Sequence, residues 1–163
     1  MTSRVTPVSV ALTEMGIPHS VFVHQTPPKS IEIAAQERGQ QPEQIVRSIL
    51  FRISEGDYVM VLMTGPGQID WKKLRKTVGK SRVTMASIGE VLKITGYSLG
   101  AVAPFGLPKP LRILVDRSVA NGEMVSMGSG EVGTAVILTS DNLLKALGNV
   151  EVGSFGVDPS TTV

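Results

Sequence analysis

Apolar residues fall into short blocks separated by Gly, Pro, Ser and Asp, and the spacing inside the blocks switches between helical and extended periods. Pro7–Met15 (PVSVALTEM) predicts a short helix that Gly16 closes in a left-handed cap. Ser20–His24 (SVFVH) alternates apolar and polar positions and runs into Gln25-Thr26-Pro27-Pro28, a strand followed by a turn. Ser30 caps a helix whose apolar face is Ile31, Ala34 and Ala35 and which Gly39 ends. A helical turn at Pro42–Val46 leads into Arg47–Ile53 (RSILFRI). After Gly56-Asp57, Tyr58–Met63 (YVMVLM) is apolar at nearly every position. The two runs predict a hairpin whose second strand is buried on both faces.

Thr64–Gly67 breaks this pattern. Asp70 then caps a helix at Trp71–Val78, stopped by Gly79, and Arg82–Thr84 reads as a short strand. Ser87 caps Ile88–Ile94. Short strands are expected at Leu111–Val115, Glu123–Ser126 and Thr134–Leu138, and Ser140-Asp141 caps a last helix at Asn142–Leu147. Val150–Val152 adds an edge strand, and Val157–Val163 reads as a frayed tail. Strands and helices are mixed without regular β-α-β alternation, no repeat period is visible, and no low-complexity linker divides the chain. The expectation is an α+β fold: one domain over residues 1–156, a mixed β-sheet packed by several helices, and a flexible tail at 157–163.

Composition narrows the chemistry. At 163 residues with 42% hydrophobic and 18% charged content, the chain can build a sizeable core and is not of the disordered class. Aromatics are only 4%, so that core is aliphatic. The absence of cysteine excludes disulfides, thiolate catalysis and Cys-ligated zinc, and fits a reducing cytoplasm. Two histidines, with no H-x-x-x-H or D-x-D pattern, argue against a metal site. Met1–Val10 carries one charge and no apolar core, so no secretory signal is expected, and no run approaches the roughly 18 apolar residues of a membrane span. A net charge of +2 is too small for nucleic-acid binding by bulk charge, so the positions of the cations decide.

Thr95–Pro110 (TGYSLGAVAPFGLPKP) is too rich in Gly and Pro for an element interior, yet Tyr97, Leu99, Val102, Phe105 and Leu107 make it too apolar for a linker. Its core, Gly100-Ala101-Val102-Ala103-Pro104, reads either as a backbone N–H cradle for a carbonyl or oxyanion or as a buried corner. Arg47-Ser48, where a turn meets a strand, reads either as a phosphate or carbonyl contact or as an ordinary strand-end pair. Lys72, Lys73, Arg75, Lys76, Lys80 and Arg82 form a cluster with no acidic residue between Trp71 and Met85. It is either a contact for nucleic-acid phosphates or a solvated helix face. His24 is a pocket residue or a structural one, and Gly128-Ser129-Gly130 is a hairpin turn or a second pocket wall.

Several of these segments, in order and spacing, resemble the YbaK/ProX family, the prolyl-tRNA-synthetase-associated editing domains that act as free-standing aminoacyl-tRNA deacylases. The similarity runs from about Ala11 to Val152 through VFVHQTPP, KSIEIAAQERG, EQIVRSILFRI, IDWKKLRKTVGKSRVTMAS, TGYSLGAVAPFG, the GSGEVG turn and SDNLLKALG. TGY-x-x-G-x-x-x-P-x-G is its strongest piece. The resemblance implies a mixed, strongly curved sheet and hydrolysis in trans of the ester joining a wrong amino acid to the terminal adenosine of tRNA. It further implies no metal or organic cofactor, with water attacking the ester and the substrate's ribose hydroxyl assisting. The aminoacylated 3′ end of tRNA is the implied partner, with an aminoacyl-tRNA synthetase as a possible second. For a deacylase of this kind the residues expected to act on the ester are Arg47, Gly100 and Ala101. Ser48, His24, Val102, Pro104, Gly128, Ser129 and Gly130 are expected to bind substrate, and Lys72, Lys73 and Lys76 of the basic cluster to contact the tRNA backbone. One departure stands out: the family has Lys-Thr or Lys-Ser where this chain has Arg47-Ser48. Arginine keeps the charge but does not readily lose a proton, and its planar fork is wider than an ammonium group. A module that binds tRNA or a synthetase with weakened chemistry is therefore the alternative.

Overall fold

A computed structural model describes residues 4–120 and 123–157. Local sequence signals account for most elements. Helix α1 (Pro7–Glu14) begins at Thr6, whose hydroxyl accepts from the Ser9 N–H while the Ser9 hydroxyl accepts from the Thr6 N–H. Helices α2 (Ile31–Arg38), α3 (Trp71–Val78) and α4 (Ile88–Thr95) start at the side-chain caps Ser30, Asp70 and Ser87. These caps satisfy N–H groups that a first helical turn leaves without acceptors. Helix α5 (Ser140–Leu147) is capped by Thr139, one residue before the expected Ser140-Asp141. Three consecutive polar residues offer the cap there, and the strand leading in selects the first.

The strands are β1 (Ser20–Val23), β2 (Val46–Ser54), β3 (Asp57–Thr64), β4 (Thr84–Met85), β5 (Arg112–Asp116), β6 (Met124–Gly128), β7 (Thr134–Thr139) and β8 (Glu151–Gly153). They form two sheets. One is antiparallel, in the order β1-β7-β6; the other is mixed, in the order β4-β2-β3-β5-β8. β2 and β3 make the expected antiparallel hairpin, while β5 joins β3 in parallel and β8 joins β5 in parallel at the edge. An isolated parallel bridge between Ile45 and Ser126 links the two sheets at the start of β2. The fold is thus α+β with a mixed sheet, and its strands divide where β2 and β6 part. The short strand expected at Arg82–Thr84 lies at Thr84–Met85 instead, because only those two residues meet Phe51 and Arg52.

Two apolar layers follow from this arrangement. Leu50, Met60, Leu62 and Val115 on one face of the mixed sheet pack with Met127, Val136 and Leu138 of the other sheet and with Val8, Leu12, Val91 and Leu143 of the helices. On the opposite face, Phe51, Val59, Val61 and Leu114 pack with Leu74 and Val78 of α3 and with Phe155. β3 contributes to both, which explains its unbroken apolar run. No helix among the described residues is long and apolar enough to cross a membrane. Of the expected tail, Val157 is held by its N–H on the Gln68 carbonyl at 2.8 Å, and residues 158–163 lie outside the described residues.

Candidate active site

The site lies where the sheets diverge. Beyond the Ile45–Ser126 bridge, β2 has no second neighbour until β4 meets it at Phe51 and Arg52. A cleft of about 210 Å³ is lined there by Arg38, Ile45, Val46, Arg47, Ser48, Leu99, Gly100, Val102 and Gly128. Residues far apart in sequence meet in it: the end of α2, the first residues of β2, the Gly/Pro loop after α4, and the last residue of β6.

Arg47 and Ser48 are consecutive near the start of β2, and both line the cleft. Arg47 donates through Nη2 to the Gly67 carbonyl in the β3–α3 connection. Its Nε, like the Ser48 hydroxyl, is buried with no hydrogen-bond partner. Burial also lowers the Arg47 pKa from its ordinary value. Buried polar atoms without partners are costly, and two of them, Arg47 Nε and the Ser48 hydroxyl, stand at this one cleft, where a ligand could supply the missing bonds.

The opposing loop is held from behind. Tyr97 donates to the Phe105 carbonyl at 2.6 Å, and Thr95 donates to the Val91 carbonyl at 2.6 Å. Gly100 has φ of +88° with open space around the position of a Cβ, so the backbone faces the cleft bare. The Ala101 N–H is committed to the Ser98 carbonyl at 3.0 Å, while its own carbonyl accepts from Gly130 at 2.9 Å. Of the loop residues that line the cleft, Leu99, Gly100 and Val102 have N–H groups without a protein acceptor among the described residues. At Gly128 a Cβ would stand 2.5 Å from the Val102 carbonyl oxygen and 3.0 Å from the Ala101 carbonyl carbon, so glycine is what lets β6 and the loop touch.

Not every residue singled out in the sequence reaches the cleft. Ala101 and Pro104 are buried parts of the loop that do not line it. Ser129 is fully buried, hydrogen-bonded to the Thr134 hydroxyl, and its carbonyl accepts from Val8 at 3.0 Å. With Gly130 it supports the loop rather than facing a ligand. Lys72 and Lys76 are exposed on α3, and Lys73 bonds the Gly156 carbonyl at 3.2 Å and the Ser154 hydroxyl at 3.4 Å. Lys73 lines a neighbouring hollow with Met63, Thr64 and Gly67, the residue that anchors Arg47. The basic helix thus borders a hollow that shares Gly67 with the Arg47 contact.

His24 stands one layer behind, and it leads to a cleft residue that sequence reasoning missed. Arg38 donates from Nε to His24 Nε2 at 3.1 Å and from Nη1 to the Ser126 hydroxyl at 2.9 Å. Since Nε2 accepts, the His24 proton sits on Nδ1, which donates to Glu37 Oε1 at 2.5 Å. Ser126 in turn donates to Gln40 Oε1 at 2.6 Å. Burial lowers the Arg38 pKa to about 10, against the opposing charge of Glu37, so the guanidinium stays charged at neutral pH. The sequence held a signal for this: Arg38 is four residues after Ala34 and so extends the buried face of α2. Replacing His24 with alanine is expected to cost about 1–3 kcal/mol of stability, because Arg38 is deprived of a buried acceptor; urea denaturation measures it. Glu37→Gln, at an exposed position, should cost less.

No cluster of three or more His, Asp or Glu suited to a metal ion is assembled among the described residues. The titratable groups that line the cleft are both arginines.

Comparison with known proteins fits this geometry. An uncharacterized protein of Bacillus subtilis (strain 168), YwhH, is 33% identical over 137 residues, covering 83% of this chain and 86% of that protein. A proline–tRNA ligase of Kosmotoga olearia is 37% identical over 78 residues, which are 48% of this chain but only 13% of the ligase. Among solved structures, a candidate trans-editing enzyme for prolyl-tRNA synthetase matches with a TM-score of 0.82 at 27% identity, over 93% of this chain and 96% of that one. The hypothetical protein APE2540 matches with a TM-score of 0.84 at 24% identity over 93% of this chain and 99% of that one, a likeness of fold. The model of the aminoacyl-tRNA editing domain matches residues 26–146, a span that includes every residue lining the cleft, and the chain belongs to that family.

Proposed function

We propose that this protein is a trans-editing deacylase that hydrolyses the ester between a wrongly attached amino acid and the terminal adenosine of tRNA. The observation that carries the reading is the pairing, across one cleft, of a charged Arg47 and unpartnered Ser48 with the free N–H groups of Gly100 and Val102. Ester hydrolysis needs such a frame. Water adds to the carbonyl carbon, negative charge gathers on the carbonyl oxygen, and the bond to the ribose oxygen then breaks as that oxygen takes a proton. Fixed donors aimed at the developing charge lower the barrier, typically by about 3–4 kcal/mol per oxyanion-hole donor. Among the described residues no carboxylate or imidazole lines the cleft, so the proton passes through water and the ribose hydroxyl of the substrate itself.

The test is hydrolysis of a panel of mischarged tRNAs by purified protein. At least one pair is expected to lose its amino acid well above the buffer rate. No hydrolysis of any pair, under conditions where a family member works, contradicts the reading.

The tRNA body is proposed to run past Gly67 onto α3. Reversing charge at Lys72 and Lys76 is then expected to weaken tRNA binding. The slope of log affinity against log salt should fall by about 0.7–0.9 for each phosphate that the helix no longer neutralises. Lys73 is kept out of that variant because it also ties α3 to Ser154 and Gly156. Filter binding across a salt series measures both effects, and an unchanged slope returns the helix to a solvated face. Association with a synthetase and a cytoplasmic setting follow from the same proposal.

A further inference from the structure

We infer that the cleft is shaped for an aminoacyl group whose side chain ends in a carboxylate, with Arg38 as the residue that reads it. The inference deepens the deacylase reading and rests on it for the identity of the ester.

Charge comes first. Arg38 and Arg47 both line the cleft, and among the described residues no Asp, Glu or Lys does. Burial lowers the pKa of each guanidinium, so each is held partly out of water. The charge of Glu37 offsets part of this for Arg38 from outside the cleft, and no carboxylate among the described residues lines the cleft itself. Every aminoacyl ester brings its α-ammonium into this field, and a side-chain carboxylate supplies a compensating negative charge that a neutral side chain lacks.

Arg38 is also prepared for a bond it does not have. Its partners, His24 Nε2 and the Ser126 hydroxyl, are neutral acceptors. Glu37, the nearest acid in sequence, is hydrogen-bonded to His24 instead. Nε and Nη1 are thereby fixed, while Nη2 has no partner among the described residues. A guanidinium held by two bonds loses little freedom on forming a third, and a carboxylate forms the charge-assisted kind. The rest of the lining fits one polar tip on an apolar stem: Ile45, Val46, Leu99 and Val102 supply apolar surface, and Ser48 a free hydroxyl. At about 210 Å³ the cleft is smaller than the roughly 300–1,000 Å³ that encloses a whole small-molecule ligand, so it suits the aminoacyl group with the nucleoside outside.

The test uses stable amide analogues, 3′-glutamylamino-3′-deoxyadenosine and its glutaminyl counterpart, which match in shape and differ in charge. Neither carries a phosphate, so a contact to the tRNA backbone cannot produce the difference. The glutamyl compound is expected to bind roughly tenfold tighter, the gap between charge-assisted and neutral hydrogen bonds. Arg38→Met should bring that ratio close to one, and Arg38→Lys should keep part of it. Equal binding of the two compounds to the wild-type protein overturns the inference, as does Arg38→Met weakening both alike. If Arg38→Met does not fold, the wild-type ratio and Arg38→Lys decide. Deacylation assays separate the two levels. A glutamyl preference in binding without hydrolysis of glutamyl-tRNA contradicts the deacylase reading alone. Hydrolysis of other esters with equal analogue binding contradicts the inference alone.

Discussion

Replacing Arg47 with alanine is expected to lower kcat/KM for deacylation by about 10²–10³-fold, the usual consequence of removing one group that stabilises a developing oxyanion. Stability should change little, within about 1 kcal/mol, because the one bond given up is to the accessible Gly67 carbonyl. Single-turnover kinetics beside a denaturation curve separate the two effects. A matched fall in stability and activity would mean that Arg47 is only a strap between β2 and the β3–α3 connection. Arg47→Lys is the informative partner. An ammonium is a compact donor without the planar fork that reaches Gly67, so it frees the charge to move toward substrate. If this variant acquires hydrolysis that the wild-type protein lacks, the chain is a binding module whose arginine is parked on Gly67. If activity falls, the protein uses the guanidinium where its resemblance to the family suggests a lysine.

The second large effect is expected at Gly128. Alanine there places a methyl group 2.5 Å from the Val102 carbonyl oxygen, and backbone cannot swing aside as a side chain can. The loop must shift or β6 must bend, at a cost of about 1–3 kcal/mol. Because Val102 and Gly100 line the cleft, the same shift should reduce substrate affinity by roughly tenfold or more, a misplacement effect of the kind known for reacting groups. Gly89→Ala is the control: it lies inside α4 with open space around it, and should stabilise by about 0.4–1 kcal/mol. Urea denaturation with analogue binding reads both variants. Normal binding by a stably folded Gly128→Ala protein would remove the loop from the site.

What was legible in the sequence follows the range of the forces involved. Helix starts at Ser30, Asp70 and Ser87 are local events, set within one turn of chain, and the pattern shows them directly. The β2–β3 hairpin is almost as local. The division into two sheets is not, since it depends on Ile45 meeting Ser126 across 81 residues of chain (126 − 45). The two halves of the cleft were visible as composition: a cationic pair at a strand start, and a Gly/Pro loop too apolar to be a linker. Their meeting was not visible, and neither was Arg38, which reads as an ordinary last-turn cation until His24 and Ser126 are seen to hold it. Ala101, a natural choice from the G-x-x-x-P motif, turns out to have its N–H bonded inside its own turn.

The most direct test of the cleft as the substrate site is a map of backbone amide shifts on titration with a 3′-aminoacylamino-3′-deoxyadenosine. The expected result is saturable perturbation concentrated at Val46–Ser48, Gly100, Val102 and Gly128, with Arg38 side-chain signals moving in step. Perturbations confined to other surfaces, such as the hollow beside Lys109 and Arg112, or none at a concentration that saturates a family member, would contradict it.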